Sequence, residues 1–181
     1  MKTHTDKTNA MRALERAGVG YVARSYLPEG KLISPEEAPS GVEAAEMMGV
    51  PCEKVFKTLV TVGKSLAHYV FVIPVARELD LKKAAHAVGE KSVEMVRSKE
   101  LLPLTGYVHG GCSPLGMKKQ FVTVADESAR GLDSFLFSAG RIGLQIETSP
   151  EGLAKAIPPL LRRRHKIPRS VTPSSRRILA L

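Results

Sequence analysis

VFKTLVTVGKSLAHYVFVIPV, residues 55–75, is the most strongly β-forming stretch of the chain. Two runs rich in β-branched and aromatic residues, VFKTLVTV (55–62) and HYVFVIPV (68–75), flank Gly63-Lys64-Ser65, which predicts a hairpin. Both runs are apolar on both faces, as strands in the middle of a covered sheet are. Lys57 is the exception. It shares a face with Val55 and Leu59, while Phe56, Val60 and Val62 point the other way. A lysine there must reach water, a partner charge or a ligand pocket, because burying it unpaired is costly. Snorkelling at the sheet edge would also satisfy it. Thr58 points to the opposite face.

Outward from the hairpin, residues 6–17 keep helical spacing, with Thr5 or Asp6 as cap and Gly18 as stop. Tyr21–Tyr26 alternates like a short strand, and 27–40 carries three prolines and a glycine, as a loop does. Ser40 and Glu43 form a capping-box pattern for a helix through Met48, closed by Gly49. Asp80 can cap a helix over Leu81–Val88, and Gly89 can end it. Val93–Val96 reads as a strand and Ser98–Leu102 as one helical turn halted by Pro103. Strands are predicted at 120–125, 134–138 and 143–147. Ser149-Pro150 opens a last helix to about Ile157, stopped by Pro158-Pro159. The expected class is α+β, with a mixed, mostly antiparallel sheet of six or seven strands flanked by helices.

Between these elements lies TGYVHGGCSPLGMKK, residues 105–119. Gly110, Gly111 and Gly116 open backbone geometries closed to other residues, and Pro114 restrains Ser113. Such a loop can aim N–H groups at an anion or a carbonyl. A tight connection between elements is the equally open alternative. Cys112, with His109 three residues before it, invites a thiol-nucleophile reading, but no third group orients the pair, and a small residue filling space accounts for it better. His68, His86 and His165 have no partners at metal-ligand spacing, and no Walker loop or dinucleotide fingerprint occurs. Neither a metal nor a cofactor is expected.

Charge divides the chain. The 181 residues carry a formal net charge of +9. Residues 162–181 hold seven of the 27 basic side chains and no acid, leaving 20 basic against 18 acidic residues in 1–161. The expected organisation is therefore one domain over 1–161 and a flexible basic tail over 162–181. The tail can serve as an arm for nucleic acid or as a solubilising extension. No run approaches the roughly 20 apolar residues of a membrane span. The N-terminus lacks an apolar signal core, and two cysteines make no disulfide framework, so a cytoplasmic protein is expected.

Three stretches together, VFKTLV (55–60), PVARELDLKKAAHAVG (74–89) and TGYVHGGCSPLGMKK (105–119), resemble the YbaK/EbsC family of aminoacyl-tRNA deacylases, which are related to the editing domain inserted in bacterial prolyl-tRNA synthetases. The likeness runs from about residue 6 to 160 and is nearest to the Cys-tRNA(Pro) deacylase branch. It implies the catalytic lysine at Lys57. It implies substrate-binding positions at Tyr26, Thr58, Gly110, Gly111, Ser113, Pro114, Ser138 and Gln145. Where the family leads one to expect an aspartate, this chain has Gln145 in GLQIE. The implied chemistry needs no protein nucleophile, because the substrate's own thiol attacks its ester. The implied partners are mischarged tRNA(Pro), with prolyl-tRNA synthetase as a candidate. Removal of alanine from tRNA(Pro), a non-catalytic tRNA- or synthetase-binding module, and a Cys112 thiol hydrolase are the competing readings.

Overall fold

The computed structural model describes residues 7–157 and the backbone of residues 179–180. The caps expected at Thr5 or Asp6, the Pro158-Pro159 stop, His165 and the basic tail up to residue 178 lie outside the described residues. Thirteen helices and strands run in the order α1 (Asn9–Arg16), β1 (Val22–Ser25), α2 (Gly41–Met48), β2 (Phe56–Gly63), β3 (His68–Pro74), α3 (Leu81–Val88), β4 (Val93–Met95), α4 (Ser98–Thr105), β5 (Val122–Ala125), β6 (Phe135–Arg141), β7 (Leu144–Thr148), α5 (Pro150–Ala156) and β8 (Leu179–Ala180). Among the described residues no helix is long and apolar enough to cross a membrane.

The predicted hairpin is β2–β3, paired antiparallel from Phe56↔Pro74 to Val62↔His68. Both strands are interior, in the order β4-β2-β3-β5-β8, as their two apolar faces require. The β3–β5 pair is parallel. A second sheet, β1-β7-β6, is antiparallel throughout. The sheets meet where Val55 bridges Leu136 in parallel, just before β2 begins. The α+β class with a mixed, mostly antiparallel strand set is thus the observed one, with its strands divided between two sheets.

Three side-chain clusters hold the layers together. The largest joins Met11 and Leu14 of α1 and Leu153 of α5 to Phe56 and Val60 of β2, Val70 and Val72 of β3, and Phe135 and Phe137 of β6. Phe56 meets Phe135 edge-on at 5.0 Å, which packs one sheet against the other. On the opposite face of β3, Phe71 and Ile73 pack on Ala84 and Ala85 of α3. Ala45 of α2, Val55, Val75 and Leu136 make the third cluster, at the junction of the sheets.

Local chemistry explains the element ends. Ser40 and Glu43 make the full capping box of α2, and Gly49 closes it in the left-handed region. Asp80 accepts from the N–H groups of Lys82 and Lys83, and Ser149 accepts from Gly152. Two expectations need correction. The cap of α1 is Thr8, whose Oγ1 accepts from Met11, so the helix begins at Asn9 and ends at Arg16. Pro103 does not stop α4, which continues to Thr105. Thr105 Oγ1 donates to Leu101 O at 2.8 Å and Gly106 N to Leu102 O at 2.8 Å, so the turn around the proline stays bonded.

The hairpin turn is tighter than its glycine suggests. Leu66, not Gly63, takes the left-handed conformation, at φ +69°. Gly63 is needed for space, because a Cβ there would lie 2.4 Å from Glu90 Cδ. That carboxylate accepts from Ser65 Oγ, Ser65 N and the Tyr69 hydroxyl, and so pins the turn.

Candidate functional site

Lys57 opposes Ile73 near the start of β2 and is half-buried. Its Nζ donates to the carbonyl of Val75 at 3.3 Å. Among the described residues it has no carboxylate partner, so two of its three N–H donors remain uncommitted. Val75 is itself fixed, since its N–H donates to Val55 O at 2.9 Å. The first residue of α2 sits on Val75. A Cβ on Gly41 would lie 2.4 Å from Val75 Cγ1, so only glycine lets the helix approach this closely. Gly41 and Val75 were not singled out from the sequence. The capping box just before Gly41 marks the helix start but carries no signal of what it packs against.

The Val55–Leu136 bridge runs β2 alongside β6 in the same direction. Lys57 follows Val55 by two residues and Ser138 follows Leu136 by two, so each alternates onto the face of its strand's bridge residue. Ser138 pairs with Gln145 on β7, and Gln145 pairs with Arg24 on β1. Alternation puts these side chains on the face of Leu136, while Phe135, Phe137, Leu144 and Ile146 fill the main core. Tyr26 follows Arg24 by two residues, is buried, and is tied to the β6–β7 turn by its N–H to Gly143 O at 3.0 Å. Ser138 Oγ accepts from Gly140 N at 3.2 Å, where the β6–β7 register shifts. Arg24 Nε donates to Glu147 at 2.5 Å and Ser134 Oγ to its other oxygen at 2.7 Å. These bonds, Ser134 first, hold the Glu147 carboxyl below the usual carboxylate range. Arg24, like Gly41 and Val75, was not singled out from the sequence; its alternation with Tyr26 was the available signal.

Gln145 is 8% exposed, and its Oε1 has no hydrogen-bond partner among the described residues. Thr58 Oγ1 is the other buried side-chain atom left without one among the described residues. Orphaned buried polar atoms are uncommon in folded proteins and call for a ligand or a water. Both fall on positions implied by the resemblance. They do not share a face. Thr58 alternates with Phe56 and Val60 and so turns toward the main core, away from Lys57.

The glycine loop packs against the tip of the β6–β7 hairpin. Gly110 has φ +81°, and a Cβ on it would lie 3.0 Å from Ala38 Cβ. A Cβ on Gly111 would lie 3.1 Å from Ile142 N. Behind it the loop is braced by Tyr107, whose hydroxyl donates to Leu115 O at 2.7 Å. Ser113 and Pro114 are buried, and Ser113 Oγ accepts from Leu115 N. Among the described residues the N–H groups of Gly110, Cys112 and Ser113 make no hydrogen bond, whereas that of Gly111 is bound to Val108 O. The structure therefore pairs Ser138 with Gln145 on the Leu136 face of the β6–β7 hairpin, anchors the Tyr26 backbone at the turn of that hairpin, sets Gly110 and Gly111 at its end, and leaves the Thr58 hydroxyl on the opposite face of β2 from Lys57.

Cys112 belongs to the main core and is 7% exposed. Burial pushes its thiol up to about 12, against a smaller opposing effect of the Thr105 hydrogen bond. A thiol so protonated is no nucleophile at neutral pH. His109 is exposed and brings no shielded base to it.

Residues 35–156 match the aminoacyl-tRNA editing domain. The chain belongs to that family. It is 45% identical over 152 residues to EbsC of Enterococcus faecalis, provisionally named a Cys-tRNA(Pro)/Cys-tRNA(Cys) deacylase, covering 84% of this chain and 89% of EbsC. It is 26% identical over 131 residues to the proline–tRNA ligase of Pelobacter propionicus, covering 72% of this chain but only 23% of the ligase. Among solved structures it resembles a protein described provisionally as a trans-editing enzyme for prolyl-tRNA synthetase, with TM-score 0.69, 26% identity, and coverage of 82% and 89% of the two chains.

Proposed function

We propose that this protein is a trans-editing aminoacyl-tRNA deacylase that clears cysteine mischarged onto tRNA(Pro), acting in the cytoplasm on the free tRNA or beside prolyl-tRNA synthetase. The observation that carries the reading is the 45% identity to EbsC across 89% of that protein's length. The site's chemistry is consistent with it. The one cysteine near the loop is buried and protonated, so a thiol mechanism must draw its sulfur from the substrate.

In the proposed reaction the side-chain thiolate of the esterified cysteine attacks its own carbonyl carbon. The C–S bond forms as the bond to the terminal ribose oxygen breaks. The ribose oxygen leaves and takes up a proton, and the amino acid departs as a four-membered thiolactone that water opens to free cysteine. The protein's part is to fold the aminoacyl group into the attacking geometry and to stabilise the oxyanion. The uncommitted N–H groups of Cys112 and Ser113 and the free donors of Lys57 are suited to the second task. Gln145 Oε1, an acceptor with no partner, is suited to take an N–H of the substrate α-amino group. An amide there offers hydrogen bonding without the charge of the aspartate expected from the family resemblance.

Domain limits are part of the same proposal, with the editing domain over 1–161 and the basic tail over 162–181 as an RNA-binding arm whose Leu179–Ala180 pair with β5. The experiment is deacylation of Cys-tRNA(Pro), Ala-tRNA(Pro) and Pro-tRNA(Pro) by the purified protein. Release of cysteine well ahead of the other two is expected. Release of alanine alone would move the assignment to the alanine-editing branch, and no release would favour a binding module.

A further inference from the structure

A cleft lies outside the Lys57 site, with none of that site's residues in its wall. It has a volume of about 350 Å³, is lined by Ala13, Arg16, Gly116, Met117, Gln120 and Lys155, among others, and runs between α1, α5 and the end of the glycine loop. Arg16 and Lys155 are exposed, and Lys118, Lys119 and Arg12 stand exposed on the same three segments. None of the five has an ion-pair partner among the described residues. The acids there are few. Glu15 is taken by Lys7 at 2.8 Å and by the Tyr21 hydroxyl, which leaves Glu151. Lys155 is not a loosely placed charge. Its Nζ lies 4.0 Å from where a Cβ on Gly18 would stand, against the last turn of α1, whose carbonyl end favours a cation. That helix end can hold the Lys155 ammonium, but it gives no reason for Arg16, the second unpaired cation that lines the cleft.

The cleft and the candidate site share a loop. Ser113 belongs to the segment at the site, and Gly116 forms the cleft wall. Three residues span at most about 11 Å of chain. Along a duplex each strand carries a phosphate about every 3.4 Å of axis. The two places therefore lie within a few nucleotide steps of one another. Ala156 lines the cleft, and the first of the seven tail cations follows it in sequence by six residues, at Arg162.

We propose that this cleft, through Arg16 and Lys155, holds the sugar-phosphate backbone of the substrate RNA just inboard of its aminoacylated end. The inference rests on the deacylase reading for the identity of the RNA. The test measures binding of uncharged tRNA(Pro) to the full chain over about 50–200 mM salt, for the wild type and for the Arg16→Ala, Lys155→Ala double variant. Loss of two phosphate contacts should cost at least about tenfold in affinity at the low end and make the slope of log affinity against log salt shallower by about 1.5. In turnover the loss should fall on KM and not on kcat. Arg16→Lys with Lys155→Arg should restore binding, because charge and not a shaped fork is what a phosphate row reads. Unchanged affinity and slope would overturn the proposal, and so would a loss in kcat at constant KM. If the wild type releases no amino acid from any tRNA, the deacylase reading fails while the binding arm still decides this one.

Discussion

Replacing Lys57 separates a structural from a catalytic lysine. The native contact is one N–H···O bond of 3.3 Å to Val75 O, longer than the usual 2.9–3.0 Å, from a half-buried side chain that water also reaches. A hydrogen bond from a charged group contributes about 1.5–3 kcal/mol at good geometry. At this length and exposure Lys57→Ala should cost about 1 kcal/mol of stability, with Lys57→Met costing less because the stem still packs. The effect on rate should be larger. A unit charge 4 Å from developing negative charge interacts by about 4 kcal/mol at an effective dielectric constant of 20, and water entering the vacated space returns part of it. A loss of at least about tenfold, or 1.4 kcal/mol of barrier, is expected in both variants. Lys57→Arg should recover little, since a planar fork does not replace a compact ammonium. The assay is single-turnover deacylation of Cys-tRNA(Pro), with urea unfolding and circular dichroism on the same preparations. Turnover within about threefold of the wild type in a folded Lys57→Ala would rule out a catalytic role and leave Lys57 a tether for Val75.

Three further outcomes follow from other parts of the molecule. Replacing the seven cations of residues 162–181 with glutamine, which leaves Leu179–Ala180 in place beside β5, should weaken tRNA binding and flatten its salt dependence while kcat survives; unchanged affinity at low salt would count against the tail as an RNA arm. At pH 8 an alkylating reagent should modify Cys52 readily and Cys112 only on unfolding, and Cys112→Ala should keep most activity, both checked by mass spectrometry and turnover. Glu147→Gln should lose about 1 kcal/mol at pH 7 by loosening β1 from β7. The folded carboxyl titrates below its unfolded value, so its contribution is present above the unfolded pKa and lost as pH falls through the folded one; the gap between wild type and variant in denaturant melts should close below about pH 4.

Much of this architecture was legible in local chemistry. Alternating β-branched runs around Gly63, the Ser40–Glu43 box, Asp80 and Ser149 each act over a few residues, and each produced the expected element. Pro103 misled because it removes only its own bond to the Lys99 carbonyl, while the bonds onto Leu101 and Leu102 from beyond it still form. The division into two sheets and the parallel β3–β5 pair depend on contacts far apart in sequence, and no short pattern encodes them. The candidate site divides in the same way. Lys57 was conspicuous as a cation inside an apolar strand, and Gly110 and Gly111 as a shaped loop. Ser138 opposite Gln145 is a matter of register, visible only once β6 and β7 are paired. The burial of Cys112 could not be read from GGCSP, because the same glycines would serve an exposed loop equally well. Nor could the orphaned oxygens of Thr58 and Gln145, which are a property of the packed interior.

A substrate that supplies its own nucleophile distinguishes this chemistry from hydrolysis by a protein thiol or an activated water. The most direct measurement compares release from tRNA(Pro) of cysteine and of S-methylcysteine, which keeps the ester and adds one methyl group but cannot form a thiolate. Rapid release of cysteine, with S-methylcysteine leaving at the uncatalysed rate, is the expected result. Equal rates for the two would contradict it, and would require a nucleophile or an activated water that the protein itself provides.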